Sequence, residues 1–171
     1  MNTLQFDNAT FFPHFCQLVN EGHNVSLRTR GCSMRPFIEH DRDIAVLGPL
    51  KHVEVGDVVL AEIRVGKYVM HRIDKIEGDK VVLRGDGNYP GTEVCKKEDL
   101  RALMVAVERK GKTYSMDGRT WKVYSYVWTR LLPLRPYLLT AYRLLWHGQL
   151  PRGIRRLLPE GIVKQLKKIK K

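Results

Sequence analysis

Apolar positions change their spacing several times along the chain. Over residues 8–21, Phe12, Phe15, Leu18 and Val19 recur at helical spacing. Asn8 or Thr10 can cap that helix, and Gly22 suits its end. Val25, Leu27 and Thr29 then alternate with polar neighbours, the period-two pattern of a half-buried strand. From there to about residue 117, short apolar runs stand between turn signals, and they predict strands at 43–47, 57–65, 67–73, 80–84, 101–109 and 112–116. The punctuation is Gly48-Pro49, Gly56-Asp57, Gly66-Lys67, Gly78-Asp79, Gly85-Asp86-Gly87-Asn88, Pro90-Gly91 and Lys110-Gly111-Lys112. Short strands with no long helices between them predict a mainly β fold, a coiled antiparallel β-sheet domain.

The pattern changes near Asp117-Gly118. Residues 119–128 carry Trp121, Val123, Tyr124, Tyr126, Val127 and Trp128, which fit either a last strand or the start of a helix. Residues 136–147 and 153–170 read as helices. In the second of these, Ile154, Leu157, Leu158, Ile162, Val163, Leu166 and Ile169 form one apolar face against Arg and Lys. The expected division is a β-domain over 1–118, preceded at its start by the short N-terminal helix, and a helical tail over 119–171.

Composition sharpens that division. The chain has 171 residues, 43% of them hydrophobic and 28% charged, which is ordinary for a folded domain with a sizeable core. Its formal net charge of +12 resides in the tail. Residues 119–171 hold 13 Lys and Arg against the single acidic Glu160, whereas residues 1–118 hold 17 of each sign. All three Trp also fall in the tail. Three Cys, with no Cys-x-x-Cys, argue against a disulfide framework, and six His without ligand spacing argue against a zinc site. Neither a metal nor a cofactor is expected. No apolar run has the length of a spanning helix, and the N-terminus lacks the pattern of a signal peptide. The expected compartment is the cytoplasm, at or near a membrane face.

Three segments carry candidate chemistry. Gly31-Cys32-Ser33-Met34-Arg35-Pro36 follows a predicted strand at a tight turn. A glycine there frees the backbone to turn N–H groups inward beside the Ser33 hydroxyl. A serine becomes a nucleophile when a neighbouring base takes its proton and donors stabilise the oxyanion. His71 lies in the apolar strand Tyr68-Val69-Met70-His71-Arg72-Ile73, with a side chain suited to proton transfer near neutral pH. Gly85-Asp86-Gly87-Asn88 is a turn whose Asp could orient an imidazole. Each segment alone also has a plain structural reading: a solvent-facing serine, a packed histidine, a β-turn.

Taken in order, together with Gly56-Asp57-Val58-Val59, these segments resemble the signal peptidase and LexA-like serine peptidase superfamily over residues 24–106. The His71-Arg72-Ile73 run is similar to the histidine-base type, the endoplasmic-reticulum and spore-former signal peptidases, where other members carry lysine. The resemblance implies the coiled β-sheet domain of these enzymes, with Ser33 as nucleophile, His71 as general base and Asp86 as the Asp of the family's Gly-Asp-x-Asn turn. It implies an oxyanion and substrate-binding surface made by Gly31, Cys32, Met34, Tyr68, Val69 and Met70. A peptide or protein substrate would lie extended beside the segment before His71, as an added strand. The second acidic residue that usually follows the turn is represented here by Glu93, which leaves Asp86 and Glu93 as alternative partners for His71. Cys32 is set aside as a rival nucleophile because neighbouring side chains in an extended segment point apart.

The expected activity is a serine endopeptidase using a Ser–His dyad, assisted by Asp, on a precursor or leader peptide. The alternatives are a peptide-binding module of the same fold without turnover, and a self-cleaving regulator. For the tail, aromatics and cations beside an amphipathic face fit peripheral contact with an anionic membrane through 119–171. Leu clusters alternating with Arg disfavour nucleic acid as the partner.

Overall fold

A computed structural model describes residues 8–89 and 91–147. The strands are β1 (Val25–Arg28), β2 (Asp43–Gly48), β3 (Val58–Arg64), β4 (Lys67–Glu77), β5 (Lys80–Arg84), β6 (Glu93–Lys96), β7 (Leu100–Arg109) and β8 (Lys112–Ser115). The helices are α1 (Asn8–Asn20), α2 (Arg119–Arg130) and α3 (Arg135–His147). All strand pairs are antiparallel, in the order β1-β2-β7-β3-β4-β5-β6, with β8 added to β7. The protein is mainly β, with a short N-terminal helix and C-terminal helices, as the spacing predicts.

Strand β3 shows why the sheet coils. Val58, Val59, Leu60 and Ala61 are all buried, although successive side chains point to opposite faces. Both faces of β3 are therefore covered. Val58 and Leu60 join a core with Phe12, Phe15 and Val19 of α1, Phe37 and Ile38, and Met104 of β7. Val59 and Ala61 join a second core with Ile73, Val81, Leu83, Cys95 and Leu100. Cys16 of α1 packs at the edge of the first core, and Cys95 lies inside the second, where burial pushes its thiol up to about 11.

The sequence pattern missed β6. Glu93-Val94-Cys95-Lys96 has only one buried apolar side chain, and its pairing with β5, Val81 opposite Cys95, makes it a strand. Residues 119–130 take the helical alternative. Trp121, Tyr124, Ser125 and Trp128 recur on one face at helical spacing, and Trp121 and Tyr124 pack against the first core. Two compact units divide after Arg130, and α2 lies in the unit that holds the sheet. In the second unit, α3 follows the predicted 136–147. The helix expected at 153–170 lies outside the described residues.

Asp43, at the start of β2, ties the segment after the Ser33 turn to β7. Its buried carboxylate accepts from Arg42 and Arg109 at 2.8–2.9 Å and from the Glu39 N–H at 3.0 Å. Arg109 also donates to the Phe37 carbonyl at 2.8 Å. Burial works against the ionised carboxyl, but these donors outweigh it and hold its pKa well below the usual 3.8. A depressed native pKa contributes stability above the unfolded value, lost as pH falls from about 4 toward the native value. Asp43→Asn should therefore lower unfolding free energy at neutral pH by about 3 kcal/mol, because two guanidinium groups lose their counter-charge. Urea titrations should show the gap between wild type and variant narrowing as the buffer is taken below about pH 4; an equal gap at all pH values would reject this account.

Candidate active site

The turn bearing Ser33 is built on Gly31, whose φ of +106° is the left-handed conformation that glycine adopts most readily. The Gly31 N–H does not face the groove as an open donor. It donates to His40 Nδ1 at 2.9 Å, and His40 Nε2 reaches the Asp41 carboxylate at 2.9 Å. His40 has no signal in its local sequence; it acts by fixing the approach to the turn. Met34 is buried beneath the turn, whereas Cys32 is exposed.

The loop after β5 presses against this turn. The Gly87 N–H donates to the Ser33 carbonyl at 2.7 Å. A Cβ on Gly87 would stand 2.6 Å from the Cys32 carbonyl and 3.0 Å from the Arg35 carbonyl. A Cβ on Gly85 would collide with the Ser33 carbonyl and stand 3.1 Å from His71 Nε2. The Gly-Asp-Gly-Asn turn is thus glycine-rich because two backbones and an imidazole converge there. At Gly85 the Ser33 carbonyl and the His71 ring leave no room for a side chain.

Consecutive β4 residues face opposite ways. His71, 4% exposed, places Nδ1 at 2.8 Å from Glu93 Oε2 of β6. With that carboxylate ionised, Nδ1 carries the proton and the lone pair of Nε2 lies toward Gly85 and the Ser33 turn. Arg72, on the other face, is buried against the rings of Phe37 and Tyr124, 4.7 and 5.5 Å from their centroids. Its Nε and Nη2 donate to the two oxygens of Asp86 at 2.8 and 2.7 Å. Nη1 donates to the Gly56 carbonyl at 2.6 Å and to Ser125 Oγ of α2 at 2.8 Å. Burial opposes the Arg72 charge, and Asp86 more than restores it, so its pKa is raised.

The expected role of Asp86 as the group assisting His71 is corrected by this geometry. Both Asp86 oxygens are taken by Arg72, with the Tyr124 hydroxyl on one of them at 3.3 Å, and Glu93 holds the imidazole instead. Asp86 positions the loop. The signal for Arg72 was present in the sequence, since an ionisable residue flanked by His71 and Ile73 in an apolar strand requires a buried partner.

Ser33 and His71 line one groove of about 350 Å³ together with Gly31, Met34, Tyr68, Val69 and Met70. Leu27, Arg28, Thr29 and Arg30 also line it, as does Phe12, which stacks on Tyr68 with centroids 4.2 Å apart. The groove has backbone edges on both sides. β1 ends the strand order, paired only with β2, and β4 meets β5 only from Arg72 onward, leaving 67–71 paired with β3 alone among the described residues. No His, Cys, Asp and Glu cluster suited to a metal occurs among the described residues, nor does a helix long and apolar enough to cross a membrane.

The coiled antiparallel sheet is consistent with the fold of serine proteases and self-cleaving proteins of the LexA and signal peptidase-like superfamily, and the match of the sequence to a family model places the chain there. A family model described as Peptidase S24-like matches residues 2–107, and the chain belongs to that family. Comparison with curated protein sequences returns no significant match.

Because Gly85 is filled on both sides, Gly85→Ala should push the Ser33 backbone away from His71 and cost about 1–3 kcal/mol in stability. Thermal melting measures the cost, and the His71 imidazole proton resonances should shift. An alanine variant with the wild-type melting temperature and unchanged His71 resonances would show that the approach is looser than described.

Proposed function

We infer that the chain is a serine endopeptidase of the histidine-base type, cleaving an extended peptide that lies in the groove between β1 and β4. The observation that carries this reading is the His71 imidazole, held at Nδ1 by Glu93 and turned with Nε2 toward the Ser33 turn, in a groove that both residues line. In the proposed reaction the substrate adds as a strand, its backbone pairing with the edges at 27–30 and 68–70. His71 Nε2 takes the Ser33 Oγ proton as the oxygen attacks the scissile carbonyl. The Ser33 N–H donates to the resulting oxyanion. The imidazolium, stabilised by Glu93, then returns the proton to the leaving amine. Water, activated by the same imidazole, hydrolyses the acyl-enzyme and regenerates Ser33.

The substrate fitting this groove is a flexible precursor or leader segment, because strand addition needs an unpaired backbone. The Ser33 N–H is the main-chain donor the reading relies on, since that of Gly31 is engaged by His40. That economy favours a second reading, a peptide-binding module without turnover, and the same experiment separates the two.

Ser33→Ala and His71→Ala should each abolish cleavage of a precursor peptide and labelling by a fluorophosphonate. Ser33→Ala should keep a melting temperature near wild type, whereas His71→Ala, which empties a buried position and strips Glu93 of its partner, should lower it. Glu93→Gln should retain the fold and reduce turnover by about 10²-fold or more, through loss of the tautomer and of imidazolium stabilisation. Mass spectrometry of peptide products and of the intact protein measures both cleavage in trans and self-cleavage. Continued cleavage by the Ser33→Ala protein would reject the assignment, and peptide binding without labelling or product would favour the module.

A further inference from the structure

Helix α2 has two faces of unlike purpose. Its inner face packs on the β-domain: Tyr124 stacks between Phe37 and Trp128, with centroids 5.4 and 5.7 Å away, and Ser125 meets Arg72. Its outer face carries Arg119, Lys122, Val123, Tyr126, Val127 and Arg130, all exposed and spaced by three or four residues. Val123 and Tyr126 are 61% and 58% exposed, and Val127 43%. A helix that only caps a domain would ordinarily turn polar side chains outward. Here the outward stripe is apolar and aromatic, flanked by cations, and contains no carboxylate. The Arg130 guanidinium lies 3.7 Å from the Tyr126 ring centroid, which keeps that charge beside the apolar stripe. In the second unit, Leu134, Tyr137 and Leu138 are likewise exposed at helical spacing.

We propose that the outer face of α2 is a membrane-docking surface, seating the β-domain on an anionic lipid bilayer. Charge complementarity selects this occupant. Residues 119–171 carry 13 cations and one carboxylate, against balanced charge in residues 1–118, so the excess begins in sequence with Arg119, Lys122 and Arg130 of this helix and continues along the chain after it. Basic side chains at a bilayer surface bind anionic headgroups, and apolar and aromatic side chains between them enter the headgroup–acyl boundary. Nucleic acid would use the cations but gives Val123 and Val127 no apolar environment. A solvated helix would leave all three large apolar side chains in water.

The test uses the full-length chain with vesicles of phosphatidylcholine alone and of phosphatidylcholine with phosphatidylglycerol. Co-sedimentation should occur with the anionic vesicles, weaken with added salt and be far weaker with phosphatidylcholine alone. The double variant Tyr126→Glu/Val127→Glu should reduce partitioning by about tenfold or more, since it removes apolar contact and adds repelled charge. Both side chains point away from the core, and an unchanged melting temperature confirms that the variant is folded. Val123→Ser offers a milder change on the same stripe and should lower partitioning to an intermediate level. Binding by the double variant equal to wild type, or no preference for anionic vesicles, overturns the proposal. So does binding of a duplex or single-stranded oligonucleotide more tightly than anionic vesicles at the same salt, which would assign the charge to nucleic acid. The Ser33→Ala protein should partition like wild type, so the outcome stands whether or not the chain proves to be a peptidase.

Discussion

A guanidinium taken out of water must find partners for its N–H groups and its charge, or the fold loses several kcal/mol. Arg72 meets that requirement with groups drawn from separate parts of the chain: Asp86 after β5, the Gly56 carbonyl before β3, and Ser125 of α2. The rings of Phe37 and Tyr124 supply the remaining surroundings. Satisfying one buried charge therefore fixes the loop after β5 and docks the helix that follows the sheet. It also fixes the site, because the loop held by Asp86 is the one whose glycines touch the Ser33 turn.

The pleat of β4 separates two tasks between neighbouring residues. His71 turns to the face where β6 brings Glu93, and Arg72 turns to the face covered by Phe37 and α2. An acid on each side keeps the pairs apart, so the imidazole does not compete with the guanidinium for one carboxylate. The proposed pairing of Ser33 with His71 would need the histidine held in one tautomer, and Glu93 meets the ring at Nδ1 from the neighbouring part of the sheet, outside the residues that line the groove. The His40 link to the Gly31 N–H plays a similar positioning part on the opposite side of the turn.

Helix α2 joins this internal architecture to the surface. Its inner side chains complete the aromatic packing around Arg72, and its outer ones form an apolar, cationic stripe. The basic part of the sequence begins at this helix, which lies in the same compact unit as the sheet, the unit that ends at Arg130.

Strand periodicity, turn glycines and the ordered Ser33, His71 and Gly85–Asn88 segments were legible in the amino-acid sequence, because each depends on local spacing. α1 followed from helical spacing, most strands followed from side-chain alternation over a few residues, and the family resemblance followed from short motifs in order. Three features were not legible. β6 exists through its pairing with β5 rather than through its own pattern; α2 carried aromatics that satisfy period two and helical spacing alike; and the partner of His71 was open between Asp86 and Glu93. Each of these turns on contacts between residues far apart in the chain. Spacing records which face of a strand is buried, but only strand register and the competing demand of Arg72 determine which carboxylate arrives at the imidazole.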